Sequence, residues 1–288
     1  MLAGLLYAVN KALTEELAPV QVTFLEAAVA CALLVPAYLW RARGRAFPRG
    51  TPWGWLLAFG LVAVTLFYMR TAGVAITSAT TAPLVVSFEV ALVFAYSYLF
   101  LREKPSGWGW AGAALLVAGM VAALDVPARG VVLQPVGVLA LLAAAFGLAT
   151  NAVIIELRLG QVSNSLTALV NVTCRTVMLG LLVCLGGQMA GLGPALASPR
   201  TLALVVLGGG IITWMLTTYY YAMKRIPMWT VRLLGLVTPA AALLADYFWL
   251  RSAISTGQLL GLVLVTAGSA LVIIAGAPAR AAAEGVRA

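Results

Sequence analysis

Long apolar stretches separated by short polar breaks dominate the chain. Ten such runs, bounded by charge, proline or glycine, occur at about 2–15, 19–40, 53–74, 78–101, 107–124, 135–156, 164–188, 200–222, 228–250 and 256–276. Most approach the roughly 20 residues that an α-helix needs to cross a bilayer. The first and fifth are short, and such spans must tilt, thin the bilayer or depend on flanking side chains that reach its surface. The pattern predicts an all-α integral membrane protein with ten transmembrane helices.

The apolar pattern occurs twice along the chain. Residues 60–119 align without a gap on residues 209–268 after a shift of 149 positions. Among the positions that agree in the two copies, those of the first copy include Tyr98, Leu101, Arg102, Ser106, Gly112, Leu115, Ala118 and Gly119. Duplication in an apolar chain is typical of secondary transporters. We therefore predict two five-helix repeats, at residues 1–127 and 128–276, followed by a disordered cytoplasmic tail at 277–288.

An odd number of helices in each repeat means that the second copy enters the membrane inverted. Inverted repeats meet near the bilayer midplane, where substrate sites form. Two pairs of glycines have a spacing of two helical turns, which allows helices to pack closely: Gly112 with Gly119, and Gly261 with Gly268. We expect a structural role for these glycines.

The basic residues predict how the helices are oriented. With the N-terminus in the cytoplasm, the cytoplasmic loops and tail hold Arg41, Arg43, Arg45, Arg49, Arg102, Lys104, Arg158, Lys224, Arg225, Arg280 and Arg287. The outer loops hold only Arg129, Arg200 and Arg251. Cytoplasmic loops are enriched in Lys and Arg, so both termini are predicted to be cytoplasmic in a multi-pass protein of the inner (plasma) membrane.

Composition excludes several other classes of protein. The chain is 63% hydrophobic and 9% charged, with a mean hydropathy of +1.03, whereas soluble domains are about 25% charged. The net charge of +9 lies mostly in loops between apolar runs, which does not indicate a nucleic-acid partner. The chain has no histidine, and Cys31, Cys174 and Cys184 lack metal-ligand spacing. We expect no metal, no cofactor, no nucleotide site and no enzymatic activity.

Several charged residues lie inside the predicted spans, where a charge is costly and indicates a functional hypothesis. The interior positions are Glu26, Glu89, Arg175, Arg232 and Asp246, with Lys11 and Arg70 nearer the outer ends. Glu89 would lie roughly 16 Å into the fourth run. It has two interpretations: a buried ion pair with Lys11 or Arg175, or a counter-charge for a substrate ammonium or coupling proton. For Arg232, near a helix end, a structural role is favoured.

Three polar stripes follow the helical period. Tyr7, Asn10 and Lys11 share one side of the first predicted helix, and Thr150 with Asn151 offers a similar stripe on the sixth. The stripe on the eighth comprises Trp214, Thr217, Thr218 and Tyr221. Aromatic rings and hydroxyls on one face suit an amphipathic solute, although the same residues also bond neighbouring helices.

The order and spacing of these motifs resemble the EamA-type branch of the drug/metabolite transporter superfamily. The resemblance rests on the segment 7–11 (YAVNK), the turn 101–105 (LREKP), Gly112 and Gly119, with the second copy at Thr238, Pro239, the turn 250–252 (LRS), Gly261 and Gly268. Two positions depart from the family pattern. Ser252 replaces the second turn glutamate, and Glu89 with Val90 replaces the proline of the fourth helix.

Within this branch the chain is most similar to the YddG amino-acid exporters, on overall pattern together with Glu26 and Glu89. The resemblance implies export of aromatic and other apolar amino acids from the cytoplasm. We expect a carrier that works by alternating access, as a monomer or weak homodimer. Proton coupling and facilitated diffusion both stay open. Together with the residue chemistry, it predicts a substrate site that comprises Tyr7, Asn10, Lys11, Glu89, Asn151, Trp214, Thr217 and Tyr221.

In this site Lys11 would bind the carboxylate of the substrate amino acid. The ammonium of the substrate would contact Glu89 or the faces of the aromatic rings. The alternative in the same class is an exporter of cationic hydrophobic drugs or another metabolite, for which Glu89 is essential and Lys11 dispensable. An integral-membrane enzyme would need catalytic groups that the chain lacks, and a membrane sensor or scaffold is a weaker third hypothesis.

Overall fold

The computed structural model describes residues 2–42, 50–101, 107–123, 135–223, 237–249, 251 and 255–285. These residues form helices and short turns and contain no strand, which confirms the predicted all-α class. The helices, numbered in chain order, are α1 Leu2–Leu13, α2 Pro19–Ala42, α3 Trp53–Ile76, α4 Thr81–Val86, α5 Glu89–Leu101, α6 Gly107–Ala123, α7 Pro135–Ile154, α8 Asn164–Leu185, α9 Leu192–Leu196, α10 Pro199–Met223, α11 Val237–Trp249 and α12 Thr256–Gly285. A π-helical turn, Ile155–Leu159, continues α7.

Within these ranges, five helices are long and apolar enough to cross a membrane. Their candidate spans are Pro19–Trp40, Trp53–Ile76, Pro135–Leu159, Asn164–Leu185 and Pro199–Ala222. Each begins within one residue of a predicted apolar run. Shorter apolar helical segments occur at Leu2–Leu13, Thr81–Val93, Gly107–Ala122 and Thr256–Val272, and the segment Thr81–Val93 comprises α4, a turn and the start of α5. The two runs that are short in the sequence, the first and the fifth, are therefore short helices in the structure as well.

The fourth apolar run does not form one continuous helix. It divides into α4 and α5 at a turn formed by Ser87 and Phe88. The Ser87 hydroxyl donates to the Pro83 carbonyl oxygen over 2.8 Å, and the Ser87 backbone N–H donates to that oxygen over 3.0 Å. A hydroxyl that bonds the carbonyl four residues back often bends a helix. Glu89 is thus the first residue of α5 rather than an interior residue of a single helix.

Helix α12 continues to Gly285, although the sequence predicted a disordered tail from residue 277. The residues after 276 are rich in alanine, which has the highest intrinsic helix propensity.

Most contacts between helices occur twice: where two helices pack together, their equivalents in the other half of the chain also pack together. In chain order, the equivalent helices of the halves are α1 with α7, α2 with α8, α3 with α10, α4 and α5 with α11, and α6 with α12. Helix α2 packs on α8, and α6 packs on α12. Helix α3 packs on α8 as α10 packs on α2, and α3 packs on α7 as α10 packs on α1. Helix α1 contacts α11, and its counterpart α7 contacts α4 and α5.

Glycines at equivalent positions allow these close contacts. A Cβ on Gly60 of α3 would lie 2.5 Å from Cys174 Sγ of α8. A Cβ on Gly209, which is Gly60 shifted by 149, would lie 2.5 Å from Val29 Cβ of α2. Between α6 and α12 the backbones themselves meet, since a Cβ on Gly112 would lie 2.8 Å from the carbonyl oxygen of Gly268. The expected structural role of Gly112 and Gly268 is confirmed.

Candidate functional site

A buried carboxylate, that of Glu26 on α2, lies among four helices. In the amide orientation that satisfies both groups, Asn10 Nδ2 of α1 donates to Glu26 Oε1 over 2.5 Å and to the Leu6 carbonyl oxygen over 3.3 Å. The other terminal atom of the Asn10 amide lies 3.4 Å from Thr71 Oγ1 of α3. Helix α10 approaches at Gly208, where a Cβ would collide with Glu26 Oε1. The lack of a side chain at this position leaves the space that the carboxylate occupies.

Two arginines lie against the ring of Phe67 in the same region. Arg175 of α8 is fully buried, and its Cζ lies 3.6 Å from the ring centroid. Arg70 of α3 is 7% exposed, and its Cζ lies 4.6 Å from the Phe67 centroid and 5.6 Å from that of Tyr7. The two guanidinium groups repel each other, and both attract the Glu26 carboxylate.

The hydrogen-bonding capacity of these arginines is largely unused. Among the residues that the structure describes, Nε, Nη1 and Nη2 of Arg175 and Nε and Nη2 of Arg70 have no hydrogen-bond partner. Buried charged donors are normally paired, because an unpaired one loses the hydration of its charge without compensation. This arrangement indicates a site that is incomplete without a further group.

Asn171 and Tyr220 extend the polar region toward α10. Asn171 lies one turn before Arg175 on α8, is 2% exposed, and bonds Tyr220 through its side chain. Its Oδ1 has no partner within the described ranges. We call this connected set of side chains the central polar cluster; it comprises Tyr7, Asn10, Glu26, Phe67, Arg70, Thr71, Asn171, Arg175 and Tyr220. Helices of both halves contribute to it.

The sequence identified part of this cluster. Tyr7 and Asn10, predicted as site residues, lie in it. Glu26 and Arg175 stood out as charges inside apolar runs, and Arg70 as a charge near a helix end, but none was predicted as a site residue. Their proximity depends on packing between helices far apart in the sequence, which one sequence does not reveal. The signal that was available is the cost of burying each charge.

Lys11, the predicted partner of a substrate carboxylate, caps a helix. Its Nζ donates to the carbonyl oxygens of Val74 at 3.3 Å, Ala75 at 2.9 Å and Thr77 at 2.7 Å. These carbonyls lie at the C-terminal end of α3, where a helix leaves acceptors unsatisfied and where its dipole favours a cation. The structure thus gives the Lys11 ammonium a structural role that ties α1 to α3.

We expect Lys11→Met to lower the free energy of unfolding by about 1–3 kcal/mol, because three carbonyls lose a charged donor. Thermal unfolding of the purified protein in detergent measures this, and Lys11→Arg, which keeps charge and donors, serves as the control. An unchanged melting temperature in Lys11→Met, combined with lost affinity for a carboxylate substrate, would contradict the capping role.

Glu89 is half-buried at the start of α5 and interacts electrostatically with Tyr7. The ion pair of Glu89 with Lys11 or Arg175 stays a prediction. Asn151 of α7 is 7% exposed, and its Oδ1 has no partner among the described residues.

The predicted stripe on α10 lies on the exposed side of that helix. Trp214 is 64% exposed and Tyr221 54% exposed, while Thr217 Oγ1 donates to the Thr213 carbonyl oxygen over 2.8 Å. The adjacent residue Tyr220 points inward and joins the central polar cluster. Trp214, Thr217 and Tyr221 therefore lie apart from the cluster.

Arg232 lies outside the described residues. Asp246 belongs to α11, and its side chain lies outside the described set. Of the other charges inside the predicted spans, Glu26 and Arg175 belong to the central polar cluster, and Glu89 lies beside Tyr7 of that cluster. Arg70, which the sequence placed nearer a helix end, also belongs to the cluster.

Comparisons with known proteins bear on the fold and on the family. A solved structure titled "Crystal structure of protein" is 21% identical, with a TM-score of 0.64 over 94% of this chain and 95% of that one, a likeness of fold alone. No protein with a curated description matches. The model of the EamA-like transporter family matches residues 1–124 and 135–274, which is most of the chain. With its apolar helices, the protein is a multi-pass membrane protein that belongs to the EamA-like transporter family.

Proposed function

We propose that the protein is a secondary active or facilitative transporter that exports aromatic and other apolar amino acids from the cytoplasm by alternating access. Membership of the EamA-like family supports transport, and the resemblance to the YddG exporters supports the substrate class. One observation carries the proposal: the central polar cluster is buried where helices of the two halves meet. Carriers built from inverted repeats bind their substrates at that interface.

The proposed architecture has ten membrane-spanning helices in two inverted repeats, residues 1–127 and 128–276. The paired helix contacts and the equivalent positions of Gly60 and Gly209 support this arrangement. The excess of arginine and lysine in alternate loops supports cytoplasmic termini in the inner (plasma) membrane. The transporter works as a monomer or weak homodimer, with the lipid bilayer and its substrate as its partners.

In this proposal Tyr7 and Asn10 contribute to the substrate site from α1, and Glu89 provides a carboxylate beside Tyr7. Asn151 provides a buried amide on α7. A zwitterionic substrate needs both kinds of group, because its ammonium requires acceptors and its carboxylate requires donors. The predicted site residues Trp214, Thr217 and Tyr221 lie on the exposed face of α10, apart from the cluster.

The test is uptake of labelled phenylalanine into vesicles that contain the purified protein, with and without a pH gradient. We expect saturable flux in the wild type and at least a tenfold loss in Glu89→Gln. The control is Glu15→Gln, which removes an exposed carboxylate in the turn after α1. Acceleration by the gradient would identify proton coupling, and indifference to it would identify a facilitator. Absence of flux for every amino acid would overturn the proposal.

A second candidate is export of cationic hydrophobic compounds. The specific observation in its favour is that the Lys11 ammonium contacts three backbone carbonyls, while Glu26 and Glu89 lie in or beside the central polar cluster. Flux of a cationic dye in the same vesicles, without flux of phenylalanine, would select this candidate.

A further inference from the structure

We propose that Arg70 and Arg175 form the subsite for the carboxylate of the substrate. This inference rests on the proposed function and moves the anion subsite away from Lys11, to which the sequence assigned it. It requires that both guanidinium groups lie at one site, are incompletely paired, and are located between the halves. Both groups contact the ring of Phe67, most of their nitrogens have no partner among the described residues, and α3 and α8 belong to different halves of the chain.

The two arginine side chains leave most of their hydrogen-bonding capacity unused. Arg175 is fully buried and Arg70 nearly so, yet five of their six nitrogens have no partner among the described residues. A guanidinium group carries five N–H donors in a rigid fork that matches a carboxylate. A carboxylate would satisfy several of these donors at once and would compensate the buried charge.

The charges of the central polar cluster also favour an anion beside the arginines. Arg70 and Arg175 carry two positive charges, and both attract the one carboxylate of the cluster, that of Glu26. One oxygen of that carboxylate already accepts from Asn10. The two guanidinium groups therefore share a single carboxylate, and a substrate carboxylate would add a second counter-charge next to them.

The ring of Phe67 positions both guanidinium groups. The Cζ of Arg175 lies 3.6 Å from the ring centroid and that of Arg70 lies 4.6 Å from it. Contact with an aromatic face holds a guanidinium group in place through its cation–π attraction and leaves the N–H groups at its edge for other partners. Phe67 thus fixes both cations in position without using the donors that a carboxylate requires.

An unused acceptor, Asn171 Oδ1, lies on the same helix face as the donors of Arg175. Asn171 precedes Arg175 by four residues on α8, so the two side chains are neighbours on one face. Asn171 Oδ1 is buried and has no partner among the described residues. A donor group and an unused acceptor side by side complement the carboxylate and the ammonium of an α-amino acid, which are held close together on one carbon atom.

In the described conformation, these atoms are closed to solvent. A substrate therefore reaches them only when the helices that carry them separate, and α3 and α8 pack closely at Gly60 and Cys174. A ligand that binds one conformation better shifts the population toward it. Binding at Arg70 and Arg175 is thus linked to the movement between helices of the two halves.

The experiment compares three labelled compounds in vesicles that contain the wild type, Arg175→Lys, Arg175→Gln or Arg70→Lys. Phenylalanine carries both charges, 3-phenylpropionate lacks the ammonium, and phenethylamine lacks the carboxylate. The control variant is Arg158→Lys, in the π-helical turn, where the guanidinium contacts Trp55 outside the cluster. We expect the KM for phenylalanine to rise about 10- to 100-fold in the Arg175 and Arg70 variants, from the loss of charged hydrogen bonds.

Binding is measured separately as the rise in melting temperature on adding phenylalanine or 3-phenylpropionate. We expect this shift in the wild type and in Arg158→Lys, and its loss in Arg175→Lys, whose charge is retained but whose fork of donors is gone. This measurement separates loss of the subsite from loss of folding, because the melting temperature without ligand is recorded for each variant.

The outcomes distinguish this inference from the proposed function. Wild-type transport of phenylalanine with unchanged KM and unchanged thermal shift in the arginine variants would overturn the subsite and leave the function intact. Wild-type transport of phenethylamine alone would overturn the function itself. An inorganic anion could also satisfy the arginines. If replacing chloride with gluconate abolishes transport in the wild type, and Arg175→Gln removes that dependence, the carboxylate assignment is overturned.

Discussion

Replacing Glu26 with glutamine is expected to lower the free energy of unfolding by about 1.5–3 kcal/mol, because Asn10 loses a charged hydrogen-bond acceptor and both buried arginines lose the carboxylate that attracts them. Glutamine has almost the same shape as glutamate, so the space beside Gly208 stays filled. The substitution therefore removes the negative charge without changing the packing. Without the carboxylate, Arg70 and Arg175 repel each other with no counter-charge in the described cluster. Reversible denaturant unfolding in mixed micelles measures the loss.

The matched variants are Arg175→Met and the double variant with Glu26→Gln. Arg175→Met leaves one cation and one anion, so we expect it to be less destabilising than Glu26→Gln, since apolar replacement of a buried charge is often tolerated. The double variant is expected to recover part of the loss, which a double-mutant cycle quantifies. If the loss of free energy of unfolding in the double variant equals the sum of the losses in the two single variants, the charges do not act together.

The second large effect is expected for Gly268→Val. A Cβ at this position would lie 2.7 Å from the Gly112 carbonyl oxygen and 2.7 Å from the Leu116 backbone nitrogen. Backbone atoms cannot move aside as a side-chain terminus can, so α6 and α12 must separate along their contact. Overpacking of a core typically costs about 1–3 kcal/mol and occasionally more, and we expect this backbone contact to lie at the upper end.

The control is Gly210→Val on α10, where an added Cβ would meet nothing within 4 Å. Both variants exchange glycine for the same β-branched residue inside a helix, so their difference reports the contact. The fraction of monodisperse protein in detergent and its melting temperature are the measurements. Equal values for the two variants would contradict the close approach of α6 and α12.

Most of the helical framework follows from the apolar pattern. The five long helices begin within one residue of predicted runs, because the bilayer demands continuous apolar segments and the breaks between them are polar. The bend at Ser87 was not predicted, since a hydroxyl within an apolar run does not by itself reveal that it bonds the carbonyl of Pro83. Local hydrogen bonding, rather than hydropathy, therefore determines where the helix is interrupted between α4 and α5.

The candidate site was harder to predict than the fold. Lys11 stood out as a cation beside Tyr7 and Asn10, but the three carbonyls that bind it belong to another helix, and their arrival there depends on how α1 and α3 pack. On α10, the exposed Trp214 and the buried Tyr220 lie on opposite sides of one apolar helix. Lipid and protein interiors are similarly apolar, so sequence alone does not choose between the sides.

The glycine contact between α6 and α12 also limits how these two helices can move. A Cβ on Gly112 would lie 2.8 Å from the Gly268 carbonyl oxygen, and a Cβ on Gly119 would lie 2.7 Å from the Val265 backbone nitrogen. Two helices whose backbones meet at two points leave no space for a side chain between them, so neither can rotate about its own axis without a collision. We therefore expect α6 and α12 to move as one rigid body in any conformational change of the protein.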